Sequence, residues 1–198
     1  MRGLVFVWLF LVSGLVTAQT SEASKVVAAA RSQIGVTTTY DPAYSRLSYP
    51  MGDVPLERGV CSDVVIRAYR KAGIDFQQLV HKDMQANFSL YPKIWKLKKT
   101  DSNIDHRRVP NLEVFFKRKD KALNLPQVSD SYKPGDIVSW RLDNGLAHIG
   151  IVSDKKSLFD SRPLVIHNIG QGTQEEDVLF SWRIVGHYRW FRADGASR

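Results

Sequence analysis

The sequence predicts an α+β domain in which helices in the first part of the chain precede an antiparallel β-meander. Two observations lead to this prediction. Apolar residues recur at helical spacing up to about residue 119 and at alternating spacing after Pro134-Gly135. The elements also come as a run of helices followed by a run of strands, which is typical of α+β proteins and not of alternating α/β proteins.

The first 18 residues have the composition of an export signal. Arg2 supplies a positive charge, residues 3–16 are apolar, and residues 16–18 offer small side chains for cleavage. The apolar run is short for a membrane span, so we expect cleavage, secretion across the inner membrane into the periplasm and no stable membrane insertion. An uncleaved N-terminal anchor is the alternative. Residues 19–198 then form a single domain.

The chain is basic, with 28 Lys and Arg residues against 20 Asp and Glu residues and a formal net charge of +8. Such a charge favours an anionic partner, such as a nucleic acid, a membrane surface or a cell-wall polymer. Export argues against nucleic acid, and the basic residues are mostly scattered along the chain. We therefore expect a monomer that binds no nucleic acid and has peptidoglycan or a muropeptide as its partner.

Four helices are predicted from apolar spacing, at residues 21–34, 61–72, 76–88 and 111–119. Gly35 and Gly73 follow the first two at the position where a left-handed backbone ends a helix. Pro110 stands at the start of the fourth. Residues 37–59 are rich in Pro, Gly, Tyr and Asp and are predicted to form an ordered loop.

Five strands are predicted from alternating apolar residues, at residues 136–142, 147–153, 164–169, 178–184 and 187–191. The first two are joined by a tight turn at residues 143–145. In the second strand His148 shares its face with Gly150, while Ile149 and Ile151 share the other face. Gly150 leaves room for a neighbouring element to approach the face of His148.

Cys61 is the only cysteine in the chain and stands at the predicted start of the second helix. A single cysteine cannot form an intramolecular disulfide, so it serves either packing or chemistry. Unpaired N–H groups and the positive end of the helix dipole stabilise a thiolate at such a position. With histidines on two later strands, the position favours the nucleophile of a cysteine hydrolase; inert packing in the core is the alternative.

His148 and His167 lie on the second and third predicted strands. If these strands are neighbours, the two imidazoles share one face, where His148 takes the proton of Cys61 and later returns it to the leaving group. His167 then orients His148, as the carboxylate does in a serine triad, and Asn168 is the alternative orienter. The competing interpretation of His148 is a satisfied core histidine.

Four stretches resemble the NlpC-type papain-like cysteine peptidases. Residues 60–74 resemble the nucleophile helix, residues 134–140 a Pro-Gly-Asp-Leu strand, and residues 147–152 and 165–168 the two histidine strands. The match runs from Pro50 onward in the order found in that superfamily. It implies a papain-like α+β fold, with N-terminal helices packed on a C-terminal antiparallel β-meander or half-barrel. It also implies cysteine peptidase or amidase activity that needs no cofactor.

Position by position, the resemblance implies three catalytic residues: the nucleophile Cys61, the base His148 and the third polar residue His167. It also implies that Tyr49, twelve positions before the cysteine, supports the oxyanion site. Residues 103–112 resemble a bacterial branch of the superfamily, a domain of unknown function, which implies the fold but no substrate. The chain departs from the superfamily at Val60, where aspartate is usual, at Asp63, where glycine is usual, and in a long segment before the strands.

Four side chains of that long segment are candidate substrate-binding groups: Asp105, His106, Arg107 and Arg108. Arginine forks bind carboxylates in a bidentate manner, so Arg107 or Arg108 is expected to grip the carboxylate of a peptide stem. An internal ion pair between Asp105 and one of the arginines is the alternative.

These observations predict an exported cysteine hydrolase that cuts an amide bond in peptidoglycan stem peptides or a related cell-wall peptide by a Cys-His-His mechanism. One alternative is a non-catalytic wall-binding or assembly module on the same fold. Another is a hydrolase or acyltransferase that acts on a lipid or a small-molecule acyl substrate. A metalloenzyme is only weakly indicated, because the five histidines show no His-Glu-x-x-His or paired-cysteine spacing. No metal site is therefore predicted.

Overall fold

A five-stranded antiparallel sheet fills the C-terminal part of the chain in the computed structural model, which describes residues 21–191. The predicted export signal, residues 1–18, lies outside the described residues. The strands in chain order are β1 (Thr39–Tyr40), β2 (Arg58–Gly59), β3 (Ile137–Arg141), β4 (Ala147–Lys156), β5 (Pro163–Asn168), β6 (Thr173–Glu176) and β7 (Arg183–Tyr188). The large sheet has the order β6-β5-β4-β3-β7, and β1 and β2 form a separate parallel pair.

Four α-helices precede the sheet, as predicted, each slightly displaced or shortened. They are α1 (Glu22–Arg31), α2 (Cys61–Lys71), α3 (Phe76–Asn87) and α4 (Val109–Arg118). The side chain of Ser21 caps α1 by accepting the N–H of Ser24. After α2, Gly73 takes the left-handed conformation, with φ of +80°. Between α3 and α4 the chain forms a short 3-10 helix, Asp105–Arg107.

The two faces of the sheet bury different clusters, because side chains alternate along each strand. Ile149 and Ile151 of β4 face the helices and pack in a core that includes Val65 and Phe76. On the other face, Val152 packs with Trp140 in a smaller cluster. The predicted division of β4 into two faces is therefore confirmed, and the α+β class with it.

The last part of the sheet differs from the prediction. The strand predicted at residues 178–184 is wrong for residues 178–182, which form a turn whose Leu179 packs in the smaller cluster; residues 183 and 184 belong to β7. The fourth strand is instead β6, whose Thr-Gln-Glu-Glu sequence carries no apolar alternation. β7 begins before residue 187, ends at Tyr188, and pairs with the free edge of β3. The sheet is thus a β3–β6 meander with β7 added beside β3.

Gly150 has the role that the sequence suggested for it. A Cβ built on this residue would lie 2.7 Å from Cγ1 of Val165 and 3.1 Å from Cβ of His167. The absence of a side chain therefore lets β5 bring His167 close to β4. Within residues 21–191, no helix has the length and apolar character needed to cross a membrane.

Candidate active site

Cys61 lies at the first position of α2, on the floor of an open cleft of about 310 Å³. Its side chain is buried, and the backbone N–H groups of Ile149, Ser62 and Cys61 itself are directed at the sulfur. These groups favour a thiolate, but burial outweighs them and raises the pKa of the Cys61 thiol to about 12. The thiol of the free protein is therefore protonated at neutral pH.

The first turn of α2 is held by an ion pair with the 3-10 helix. Asp63 accepts the N–H of Val60 at 2.7 Å, and Nε and Nη2 of Arg107 each donate to its carboxylate at 2.9 Å. The hydroxyl of Ser62 donates to the carbonyl of Arg107 at 2.7 Å. Nη1 of Arg107 also donates to the carbonyl of Ala43. The donors of Arg107 are engaged within the protein, so the prediction that it binds substrate is not supported.

His148 and His167 lie on neighbouring strands and are joined by a hydrogen bond. Nε2 of His148 is 2.8 Å from Nδ1 of His167, and Nε2 of His167 is 3.0 Å from a carboxylate oxygen of Glu176. A carboxylate only accepts, so Nε2 of His167 donates to Glu176 and its Nδ1 accepts from Nε2 of His148. This order leaves the lone pair of Nδ1 of His148 free. Glu176 was not among the predicted site residues.

Burial keeps both imidazoles neutral. His148 packs against Trp140 and Trp182, with ring centroids 5.7 Å apart in each case. Burial, with a smaller contribution from the charge of His167, lowers the pKa of His148 to about 3. Burial also lowers the pKa of His167, against the opposing effect of Glu176. His148 therefore has the unprotonated nitrogen that a general base needs.

Cys61 lies beside β4, the strand that carries His148, but no hydrogen bond joins their two side chains within residues 21–191. The backbone N–H of Ile149, the residue after His148, is the group that most lowers the pKa of the Cys61 thiol against the effect of burial. Among the hydrogen bonds of residues 21–191, none joins the thiol to His148 or His167, and Nδ1 of His148 has no partner. The free protein thus holds a neutral thiol and a neutral imidazole instead of an ion pair.

Tyr49 and Asn168 do not have the positions that were predicted for them. The ring of Tyr49 packs edge-on against His81, 5.1 Å away, and Tyr49 does not line the cleft. Asn168 donates to the carbonyl of Gly59 at 3.1 Å and so ties β5 to the residues before Cys61, without a hydrogen bond to His148. Tyr40 lines the cleft instead, and burial, followed by the charge of Cys61, raises its pKa to about 12.

The remaining candidates of the long segment separate into buried and cleft-facing residues. Asp105 and His106 are 1% and 2% exposed and are not among the residues that line the cleft, so neither is placed to touch a substrate there. Arg108 does line the cleft, and its guanidinium carbon lies 4.3 Å from the ring centroid of Trp95. Trp95 was not singled out from the sequence. No cluster of three or more His, Cys, Asp or Glu residues suited to a metal occurs between residues 21 and 191.

Buried neutral histidines make the fold sensitive to acid. Burial lowers the pKa of His106 to about 4, whereas an unfolded histidine titrates near 6.5. Between these values the unfolded chain takes up a proton that the folded protein excludes, so the free energy of unfolding falls as the pH falls. When the pH falls from 7 to 5, the free energy of unfolding of a His106→Phe variant should drop by on the order of 1–2 kcal/mol less than that of the unmodified protein. Urea unfolding at both pH values measures this; equal losses would contradict it.

Comparisons with known proteins identify similar chains and a matching family. The chain is 67% identical over 162 residues to "Uncharacterized protein YijF" of Escherichia coli (strain K12), covering 82% of this chain and 78% of that protein. Two solved structures, NlpC1 and NlpC2 from Trichomonas vaginalis, are 13% and 12% identical, with TM-scores of 0.46 and 0.44 over 88% of this chain. The chain covers about half of each, 46% and 49%. A family model matches residues 27–190. The chain therefore belongs to the family described as Domain of unknown function (DUF1287).

Proposed function

We propose that the protein is an exported cysteine hydrolase that cleaves an amide bond in a peptidoglycan stem peptide or a related cell-wall peptide. The proposal depends mainly on the hydrogen-bonded chain from His148 through His167 to Glu176, and on the backbone N–H of Ile149, next to His148 on β4, which favours the thiolate of Cys61. An oriented imidazole near a thiol at a helix start supports acyl transfer through the thiol. Export is proposed from the composition of residues 1–18, and a wall polymer from the positive net charge.

In the proposed reaction, the sulfur of Cys61 attacks the carbonyl carbon of the amide while Nδ1 of His148 accepts the thiol proton. Because the thiol is protonated and His148 is neutral in the free protein, proton transfer accompanies the attack and does not precede it. The reaction requires the sulfur and Nδ1 of His148 to come within hydrogen-bond distance in the substrate complex, where catalytic hydrogen bonds often tighten. The N–H of Cys61 and the phenol of Tyr40 donate to the developing oxyanion.

The second half of the reaction restores the enzyme. The protonated His148 gives its proton to the leaving nitrogen, the C–N bond breaks, and the amine departs from an acyl thioester on Cys61. His148 then takes a proton from a water molecule, whose oxygen attacks the thioester. The C–S bond breaks, the carboxylic product leaves, and the proton returns to the sulfur.

A wall-binding module without catalysis is the second candidate. It is favoured by the pKa of about 12 for Cys61 and by the missing hydrogen bond between the thiol and either imidazole. Such a module would bind muropeptides without changing their mass. Loss of the thiol would leave that binding intact.

Mass spectrometry of purified muropeptides separates the two candidates. We expect the mature protein to convert a muropeptide into two fragments whose masses sum to that of the substrate plus one water. The Cys61→Ala variant should yield no fragments while keeping the melting temperature within a few degrees. Activity should persist after exhaustive chelation, since no metal takes part in the proposed steps. Unchanged muropeptides with the unmodified protein would refute cleavage of the wall peptide, and equal activity of the variant would refute the role of Cys61.

A further inference from the structure

The cleft beside Cys61 has one guanidinium whose hydrogen-bonding capacity the protein does not use. Among the described residues, Arg108 and Arg107 are the charged members of its lining, which includes no carboxylate. Arg107 is committed to Asp63 through two hydrogen bonds. Nη1 of Arg108, by contrast, is buried and has no hydrogen-bond partner among residues 21–191. The guanidinium of Arg108 has five N–H donors and therefore lacks an acceptor.

The acids nearest to Arg108 do not fill this role. Oδ1 of Asp105 is 3.6 Å from Nη1 of Arg108, beyond hydrogen-bond distance, and it also has no partner. The other oxygen of Asp105 accepts the N–H of Asp101. The carboxylate of Asp101 accepts from Tyr44 and Asn103. Asp105 thus balances part of the charge of Arg108 but leaves its fork unsaturated.

Trp95 fixes the orientation of this guanidinium. The guanidinium carbon lies 4.3 Å from the ring centroid, a distance typical of a cation–π contact, and Trp95 also lines the cleft. Stacking on an indole keeps the plane of the fork fixed and leaves its edge to donate. The buried Nη1 lies on the side of Asp105, so the donors left for a ligand are Nε and Nη2, which make no hydrogen bond within residues 21–191, on a side chain that is 17% exposed.

We propose that Arg108, held by Trp95, binds a carboxylate of the amide substrate near the bond that Cys61 attacks. The inference rests on the proposed function, because it assumes that a peptide enters this cleft. It adds a chemical requirement: the substrate carries a free carboxylate next to the scissile amide, and its carboxamide form is a poor ligand. A planar carboxylate suits the fork in a bidentate manner, and carboxylates are the anions that a wall peptide offers.

Binding and cleavage are measured separately, so that the two proposals can fail independently. The binding probe is the tripeptide L-alanyl-γ-D-glutamyl-diaminopimelate, together with versions in which one carboxylate at a time is a carboxamide. Calorimetric titration uses the Cys61→Ala protein, which cannot turn the peptide over, with and without Arg108→Gln. Lys99→Gln, an exposed change in the segment of Trp95, controls for the loss of one positive charge.

We expect one carboxamide to weaken binding by about 10- to 100-fold when Arg108 is present. The same replacement should change binding less than 3-fold in the Arg108→Gln protein and remain fully effective in Lys99→Gln. Arg108→Lys should restore only part of the preference, because lysine lacks the fork. No carboxamide effect coupled to Arg108, or no binding of the free acid at millimolar concentration, would overturn the inference. Intact muropeptides in the cleavage assay would count against the proposed function, even if the binding preference is observed.

Discussion

Replacing His148 with glutamine is expected to lower kcat/KM for muropeptide cleavage by about 10³-fold, since general acid–base catalysis typically contributes 10²- to 10⁴-fold. The amide nitrogen of glutamine can still donate to Nδ1 of His167, so the neighbouring hydrogen bond is preserved. What is lost is the lone pair that accepts the thiol proton. The measurement is the initial rate of fragment formation, with far-UV circular dichroism to show that the fold is intact.

The rest of the hydrogen-bonded chain predicts a graded series. Glu176→Gln replaces a carboxylate that only accepts with an amide that can also donate, so the tautomer of His167 is no longer enforced; we expect a loss of about 10-fold, smaller than that of the base itself. Gln174→Ala is a matched control, because Gln174 is exposed on the same strand and, within residues 21–191, its side chain makes a single hydrogen bond, to the carbonyl of Gln171. An unchanged rate in His148→Gln, or equal losses in the Glu176 and Gln174 variants, would contradict the assignment.

Replacing Arg107 with alanine is expected to reduce the free energy of unfolding by about 3–5 kcal/mol. The side chains of Arg107 and Asp63 are each 4% exposed, so removal of the guanidinium leaves a buried carboxylate without its counter-ion. Hydrogen bonds to the carbonyls of Asp41 and Ala43 are lost as well. Guanidinium chloride unfolding measures the effect as a lower transition midpoint at unchanged slope.

A double variant tests whether the buried charge is the cause. Asp63→Asn/Arg107→Ala removes both charges, so its cost should be less than the sum of the two single changes. Lys25→Ala is the control, because its ion pair with Glu22 is exposed and is worth well under about 1 kcal/mol. Additive losses in the double variant, or a loss in Arg107→Ala as small as that of Lys25→Ala, would show that the pair does not hold the first turn of α2.

The parts of the site that could be predicted from the sequence are those fixed by local rules. A helix beginning at Cys61 follows from apolar spacing and a terminal glycine, and the structure has it at that residue. The faces of β4 follow from alternation, and Gly150 marked the close approach of β5. His148 and His167 were expected to share one face if their strands are neighbours; β4 and β5 do pair, and the two imidazoles are hydrogen bonded.

The parts that were missed depend on contacts between distant residues. Glu176 lies on a polar edge strand, which has no apolar alternation to reveal it. Tyr40 reaches the cleft, where Tyr49 was expected, because the loop of residues 37–59 folds back without a regular period. The role of Trp95 follows from its contact with Arg108, which the sequence does not reveal. The choice between Arg107 and Arg108 depended on where the carboxylate of Asp63 points, which sequence spacing does not specify.

Asp63 and the long segment before the strands, two features in which the sequence departs from the NlpC-type pattern, form one ion pair. Asp63 stands where glycine is usual, and its partner Arg107 comes from the long additional segment. The carboxylate thus anchors that segment, including Arg108, to the first turn of α2. The cleft wall and the thiol consequently form a preorganised unit: the segment cannot swing open as a lid without stripping Asp63 of its counter-ion. The conformational entropy of the cleft wall is lost once, when the chain folds, and not each time a ligand binds. A ligand therefore meets a fixed surface, and its affinity depends on how well its shape and charge match that surface.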